Sequence, residues 1–118
     1  MVKILIVDDS AFIRAVLKDI LKTGGYKQII EGESGGDAIK LYKKEKPDIV
    51  LLDIVMKDSG LTALQKIMEL DPQAKVIMIS ATGQKETIDE ALRAGAKQYV
   101  GKPFEPKKVI ETIKKVLK

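Results

Sequence analysis

The chain has 118 residues, 45% of them hydrophobic and none of them cysteine or histidine, which is enough apolar material for one core but excludes thiol and imidazole chemistry. Its net charge of +4 comes from lysines spread along the sequence, and three Tyr, two Phe and no Trp make a poor base-stacking platform, so the excess reads as solvated surface and no nucleic-acid partner is expected. No apolar run approaches the roughly 18 to 20 residues of a membrane span, and the opening MVKILIVDD lacks a signal peptide's long apolar region, so a cytoplasmic protein is expected.

The hydrophobic period switches repeatedly along the chain. Lys3–Val7 reads as a buried strand that runs straight into Asp8 and Asp9. A helix follows over 10–22, with Phe12, Ile13, Val16, Leu17, Ile20 and Leu21 expected to face inward and Gly24-Gly25 as its stop. Residues 28–31 form a weaker strand. Ser34 opens a second helix through Ile39 and Leu41, where Asp37 three residues on suggests a capping box, and Pro47 closes the segment. The most apolar strand, 48–52, ends at Asp53. A helix over 60–70 stops at Asp71-Pro72. Strand 75–79 leads into Ser80, a helix over 85–94 ends at Gly95, and strand 97–100 precedes Lys102. Pro106 suits the first turn of a last helix carrying Val109, Ile110, Ile113, Val116 and Leu117 at helical spacing.

Strand and helix alternating five times imply an α/β doubly wound parallel sheet covered by helices on both faces, in one domain over 1–118. Sites in such sheets lie beyond the carboxyl ends of the strands. The residues standing there are Asp8, Asp9, Asp53, Ser80 and Lys102. Singly, each has an ordinary explanation: a cap, a turn aspartate, a solvated lysine. Together at matching strand ends they describe a crevice. Two carboxylates about 4 Å apart repel by on the order of 4 kcal/mol at an effective dielectric near 20, which a divalent cation relieves. Oxygen ligands alone suit a hard ion, and an open site suits Mg²⁺. A carboxylate nucleophile with a cation, an ammonium and a hydroxyl donor is the equipment for attack on phosphorus.

The motifs IVDD (Asp8, Asp9), LLDIVM (Asp53), ISATG (Ser80, Ala81) and YVGKPF (Tyr99, Lys102, Pro103) resemble those of the receiver domains of two-component response regulators over essentially the whole chain, the single-domain chemotaxis members above all. The resemblance implies a flavodoxin-like five-stranded sheet in the order 2-1-3-4-5 with five helices. It implies that Asp53 is the phospho-acceptor, and that Asp8, Asp9, Asp53 and the backbone carbonyl of Val55 hold Mg²⁺. Ser80 and Lys102 would bind the phosphoryl group, Tyr99 would turn inward as Ser80 moves, and the Lys102–Pro103 bond would be cis. One departure stands out. The stretch Met56-Lys57-Asp58-Ser59-Gly60 lacks the proline usual after the methionine, and its glycine comes one residue early. The side chains two beyond Asp53 and Ser80, Val55 and Thr82, would face the attacking water, which an apolar Val55 cannot orient.

The resemblance further implies a signalling phosphoprotein, and not an enzyme beyond its own phosphotransfer and autodephosphorylation. Its partners would be a chemotaxis-type histidine kinase, a flagellar motor switch protein and a dedicated phosphatase, met as a monomer. The readout surface would include Ile88, Arg93, Tyr99 and Lys107. The alternatives are a phosphorelay intermediate, a Mg²⁺-dependent phosphohydrolase, and a flavin or nucleotide carrier. The phosphohydrolase lacks an evident lid. The carrier is disfavoured because DDSAF is no glycine-rich cradle and sets two acids where a phosphate would sit.

Overall fold

The computed structural model describes residues 1–81 and 85–118. Among these, five strands alternate with five helices: β1 (Lys3–Val7), α1 (Ala11–Thr23), β2 (Gln28–Gly32), α2 (Gly35–Glu45), β3 (Ile49–Asp53), α3 (Gly60–Leu70), β4 (Val76–Ser80), α4 (Lys85–Arg93), β5 (Gln98–Gly101) and α5 (Pro106–Leu117). The strands form one sheet in the order β2-β1-β3-β4-β5, with every neighbouring pair parallel. Among the described residues no helix is long and apolar enough to cross a membrane.

Successive strand residues point to opposite faces, and here both faces are covered. Leu5, Val7, Val50, Leu52, Val76 and Met78 pack on one side with Ala38 and Tyr42 of α2, Ala63, Leu64 and Ile67 of α3, and Ala91 of α4. Ile4, Ile6, Ile49, Leu51, Ile77 and Ile79 pack on the other with Leu17, Ile20 and Leu21 of α1 and Val109 and Ile113 of α5. The near-continuous apolar runs in the sequence are thus two interleaved cores sharing one sheet.

The ends of β3 and β4 are informative. Both strands begin and end one residue later than expected, so Asp53 and Ser80 lie within the ladder, Asp53 opposite Ile79 and Ser80 opposite Gly101. At the other end Asp48 acts as a staple: its N–H donates to the Lys3 carbonyl (2.8 Å), and its carboxylate accepts the Lys3 N–H (2.7 Å). The helix starts follow the local chemistry. The hydroxyls of Ser10, Ser34 and Ser59 accept the N–H three residues on in α1, α2 and α3. The expected capping box at α2 is half formed, because Asp37 reaches back to the N–H of Glu33 and not to that of Ser34. Of the Gly24-Gly25 pair, Gly25 takes the left-handed conformation (φ 95°).

The α1 helix departs from expectation at one position. Phe12 is not inward; it is 74% exposed. At 3.6 residues per turn it lies about 140° around the helix from Leu17, off the stripe that meets the sheet. Arg14 takes the inward place in that first turn and is buried among the core residues.

Candidate functional site

Parallel pairing puts every strand's carboxyl end on one edge, and the polar residues that follow are brought together there. Asp8, directly after β1, is fully buried, and Asp53 and Ser80 are nearly so, while Asp9 is exposed. One carboxylate oxygen from each of Asp8, Asp9 and Asp53 lies within 4.8 Å of the others. Lys102 reaches in after β5, its Nζ 3.4 Å from Asp8 Oδ2 and 3.5 Å from Asp53 Oδ2. Its own N–H donates to the Ser80 carbonyl (2.8 Å), which ties the β5 exit to the β4 exit. The Lys102–Pro103 peptide bond is cis.

Each acid is aimed by the backbone. Oδ1 of Asp8 accepts the Ser10 N–H (2.9 Å), and Oδ1 of Asp53 accepts the Val55 N–H (3.2 Å). That leaves the two Oδ2 atoms turned toward Lys102. Oδ2 of Asp8 is buried and receives no hydrogen bond. A buried carboxylate oxygen in that condition is costly unless a cation serves it. Burial first, and the Asp8 charge second, push the Asp53 carboxyl up to about 6, against the opposing pull of Lys102 and the Val55 N–H. The donor set, all oxygen and partly open to solvent through Asp9, fits a hard divalent ion such as Mg²⁺.

The remaining expected residues fall nearby with different exposures. Val55, two residues past Asp53, is 59% exposed and pairs with Ser59 in an isolated antiparallel bridge. Tyr99 lies on the edge strand opposite Met78 and is 47% exposed. Of the residues expected on the readout surface, Arg93 and Lys107 are exposed and Ile88 is half-buried against the core of the α2–α4 face. Thr82 lies outside the described residues.

Two contacts go beyond the sequence expectations. Arg14 donates from Nη1 to the Asp8 carbonyl (2.6 Å). Its signal was a charge at an inward position, three residues before Leu17 and seven before Leu21 on the apolar stripe. Asp58, in the shortened stretch after Asp53, accepts the N–H groups of Gly35 and Gly36 (2.8 and 3.1 Å). No local pattern announces that contact.

A family model for the response regulator receiver domain matches residues 4–114. The chain belongs to that family. Among curated relatives, the receiver is 47% identical to the chemotaxis protein CheY of Thermotoga maritima, covering 98% of each chain. It is 46% identical to the chemotaxis protein CheY of Bacillus subtilis, over 98% of this chain and 97% of the relative. Among solved structures, it superposes on the Borrelia burgdorferi CheX–CheY–BeF3–Mg²⁺ complex with a TM-score of 0.93 at 39% identity, covering 99% of this chain and 90% of that one. Full-length agreement with chemotaxis regulators supports a chemotaxis response regulator, and the relay alternative is not better supported. Receiver domains of this kind are signalling proteins and not classical enzymes.

Proposed function

We propose that this receiver is a chemotaxis switch in which Asp53 accepts a phosphoryl group from the phosphohistidine of a histidine kinase. The observation that carries the reading is one ammonium shared by two buried carboxylates, Lys102 standing 3.4 Å from Asp8 and 3.5 Å from Asp53. In the transfer, a carboxylate oxygen of Asp53 attacks phosphorus and the P–N bond breaks. Its electron pair returns to the imidazole, and an acyl phosphate remains. Lys102 meets the charge on the phosphoryl oxygens, and the Ser80 hydroxyl donates to one of them. Asp8, Asp9, Asp53 and the Val55 carbonyl would hold Mg²⁺, which when bound neutralises the crowded acids and the incoming phosphoryl oxygens. The buried Oδ2 of Asp8, which faces the Lys102 ammonium at 3.4 Å and receives no hydrogen bond, supports that assignment.

Phosphorylation takes the side chain from about −1 to roughly −2 and adds acceptor oxygens. To invert a 1:99 mixture of inactive and active arrangements, the new contacts must favour the active one by roughly 5.5 kcal/mol. Charge-assisted hydrogen bonds to Ser80 and Lys102 supply much of that. Tyr99, now outward, then turns inward behind Ser80. The altered face of α4, β5 and α5 passes the signal to a flagellar motor switch protein. The CheX complex of the Borrelia relative supports a further protein partner, which we assign here to a dedicated phosphatase.

The test is phosphotransfer from a purified histidine kinase, read by intact mass. The parent should gain one phosphoryl group in Mg²⁺ and none in EDTA, and Asp53→Asn should gain none in either. Transfer to Asp53→Asn would overturn the assignment, and steady turnover of a phosphate ester would favour the phosphohydrolase instead.

A further inference from the structure

Among the described residues four polar or charged side chains are buried: Asp8, Asp53, Ser80 and Arg14. Three of these belong to the crevice, and the fourth touches it from behind. Arg14, 8% exposed, spreads its guanidinium over three acceptors on two segments, the β1 exit and β2 with the residue just beyond it. Nη1 donates to the Asp8 carbonyl (2.6 Å), Nε to Glu31 Oε1 on β2 (3.0 Å), and Nη2 reaches Glu33 Oε1 beyond it (3.5 Å). Asp8 is thereby held at its carbonyl, while Gly32 accepts its N–H (3.2 Å) and Ser10 donates to its Oδ1. Only Oδ2 is left, and it points at Lys102.

From this geometry we propose that Arg14 is a positioning residue for the metal site: its planar fork clamps the β1–α1 junction to β2 so that Asp8 presents Oδ2 to the cation. The proposal rests on the Mg²⁺ reading above. A planar, fixed set of donors suits this task, and a lysine ammonium cannot span three acceptors in the same plane. The guanidinium's charge plays little part. Glu31 and Glu33 face Arg14, and Lys18 Nζ sits on Glu31 Oε2 (3.0 Å), so two cations meet two carboxylates. The Lys18 hydrogen bond first, with help from Arg14, holds the Glu31 carboxyl below its usual range, so it stays ionised at neutral pH.

Orienting partners behind a metal ligand typically cost 10–100-fold in affinity when removed. The experiment is a Mg²⁺ titration of parent, Arg14→Lys, Arg14→Met and Glu31→Gln, followed by the amide resonances of Asp8, Asp9 and Lys102, with thermal melts in EDTA alongside. A parent that shows no Mg²⁺-dependent shift defeats the metal reading itself. Given a parent that binds, clamping predicts roughly 10–100-fold weaker Mg²⁺ binding in both Arg14 variants. Glu31→Gln, which loosens the fork from its solvent side and leaves Arg14 in place, should lose a few fold. An electrostatic role would spare Arg14→Lys and tighten binding in Arg14→Met, where a cation near the site is gone. A merely structural role would lower the melts and leave affinity within twofold of the parent. Either result overturns the proposal. Should the Arg14→Met chain not fold, Arg14→Lys and Glu31→Gln decide it alone.

Discussion

The Asp58 carboxylate accepts the Gly35 N–H at 2.8 Å across a sequence separation of 23 residues, and its second oxygen takes the Gly36 N–H at 3.1 Å. The first amides of a helix have no intrahelical partner, and the helix dipole favours an anion there. The shortened stretch after Asp53 therefore closes the N-terminus of α2 with its own side chain, while Ser34 serves the next amide. Removing an N-terminal cap costs about 1 kcal/mol, and the exposure of Asp58 keeps the figure near that value. Asp58→Ala should lower unfolding stability by about 1 kcal/mol at pH 7, and Asp58→Asn by less, since the amide oxygen still accepts one N–H. The Gly35 N–H holds the Asp58 carboxyl below its ordinary value, with Gly36 assisting. A depressed carboxylate adds stability above its unfolded pKa of about 3.9 and loses it as pH falls through the folded value. Urea titrations should show the gap between parent and Asp58→Ala closing below pH ~4.

Asp53→Asn carries an opposite sign. Burial and the neighbouring Asp8 charge make the ionised Asp53 a strain on the metal-free fold. Lys102 offsets only part of it at 3.5 Å. An isosteric neutral amide relieves the repulsion, so the variant should be more stable than the parent in EDTA at pH 7, by about 1–2 kcal/mol. Saturating Mg²⁺ should raise the parent and leave the variant nearly unmoved. Thermal melts of both proteins, with and without Mg²⁺, check the pair of expectations. A variant less stable than the parent in EDTA would mean that the acids are better compensated than the distances imply.

The crevice was readable in advance because a parallel sheet converts sequence position into spatial position. Once the strands are placed, Asp8, Asp53, Ser80 and Lys102 must share an edge, and a one-residue error in β3 and β4 does not move that edge. What escaped notice depends on relations that no local period carries. Arg14 replaces an expected inward aromatic because the helix meets the sheet along the Leu17–Leu21 line, which only packing defines. The Asp58–Gly35 contact requires α2 and α3 to lie side by side over the same sheet face, a consequence of β1 and β3 pairing. The missing proline marks the stretch as different from the family pattern without indicating what fills it.

Gly60 carries a further expectation. A Cβ built on Gly60 would fall on the Asp53 carbonyl oxygen, and the Gly60 N–H donates to the Ile54 carbonyl (3.1 Å), so the start of α3 is pressed against the backbone of Asp53 and Ile54. Intrinsic helix preference favours alanine over glycine by up to ~1 kcal/mol. The clash is with rigid main chain, where overpacking costs roughly 3 kcal/mol, and should prevail. Gly60→Ala is expected to destabilise the protein by about 2 kcal/mol net and to slow phosphotransfer by shifting Asp53. Denaturant unfolding checks the first effect and the transfer rate the second. Stability equal to the parent's would show that the α3 start can retreat without disturbing the strand end.

Under the proposed function, Val55 is expected to bear on how long a phosphoryl group on Asp53 lasts. Its side chain is 59% exposed, and its N–H is committed to Asp53 Oδ1, so nothing it carries orients water toward the acyl phosphate. An asparagine there adds a donor and an acceptor without altering the N–H contact. One net hydrogen bond contributes about 1 kcal/mol, which in a transition state corresponds to about a fivefold rate change. Val55→Asn should therefore lose its phosphoryl group about fivefold faster than the parent, with Mg²⁺ affinity unchanged because the proposed ligand at this position is the backbone carbonyl. Following the decay of phosphorylated protein by intact mass after the kinase is removed measures the rate directly. Slower decay in the variant would place the attacking water on the other side of the phosphorus, out of reach of this side chain.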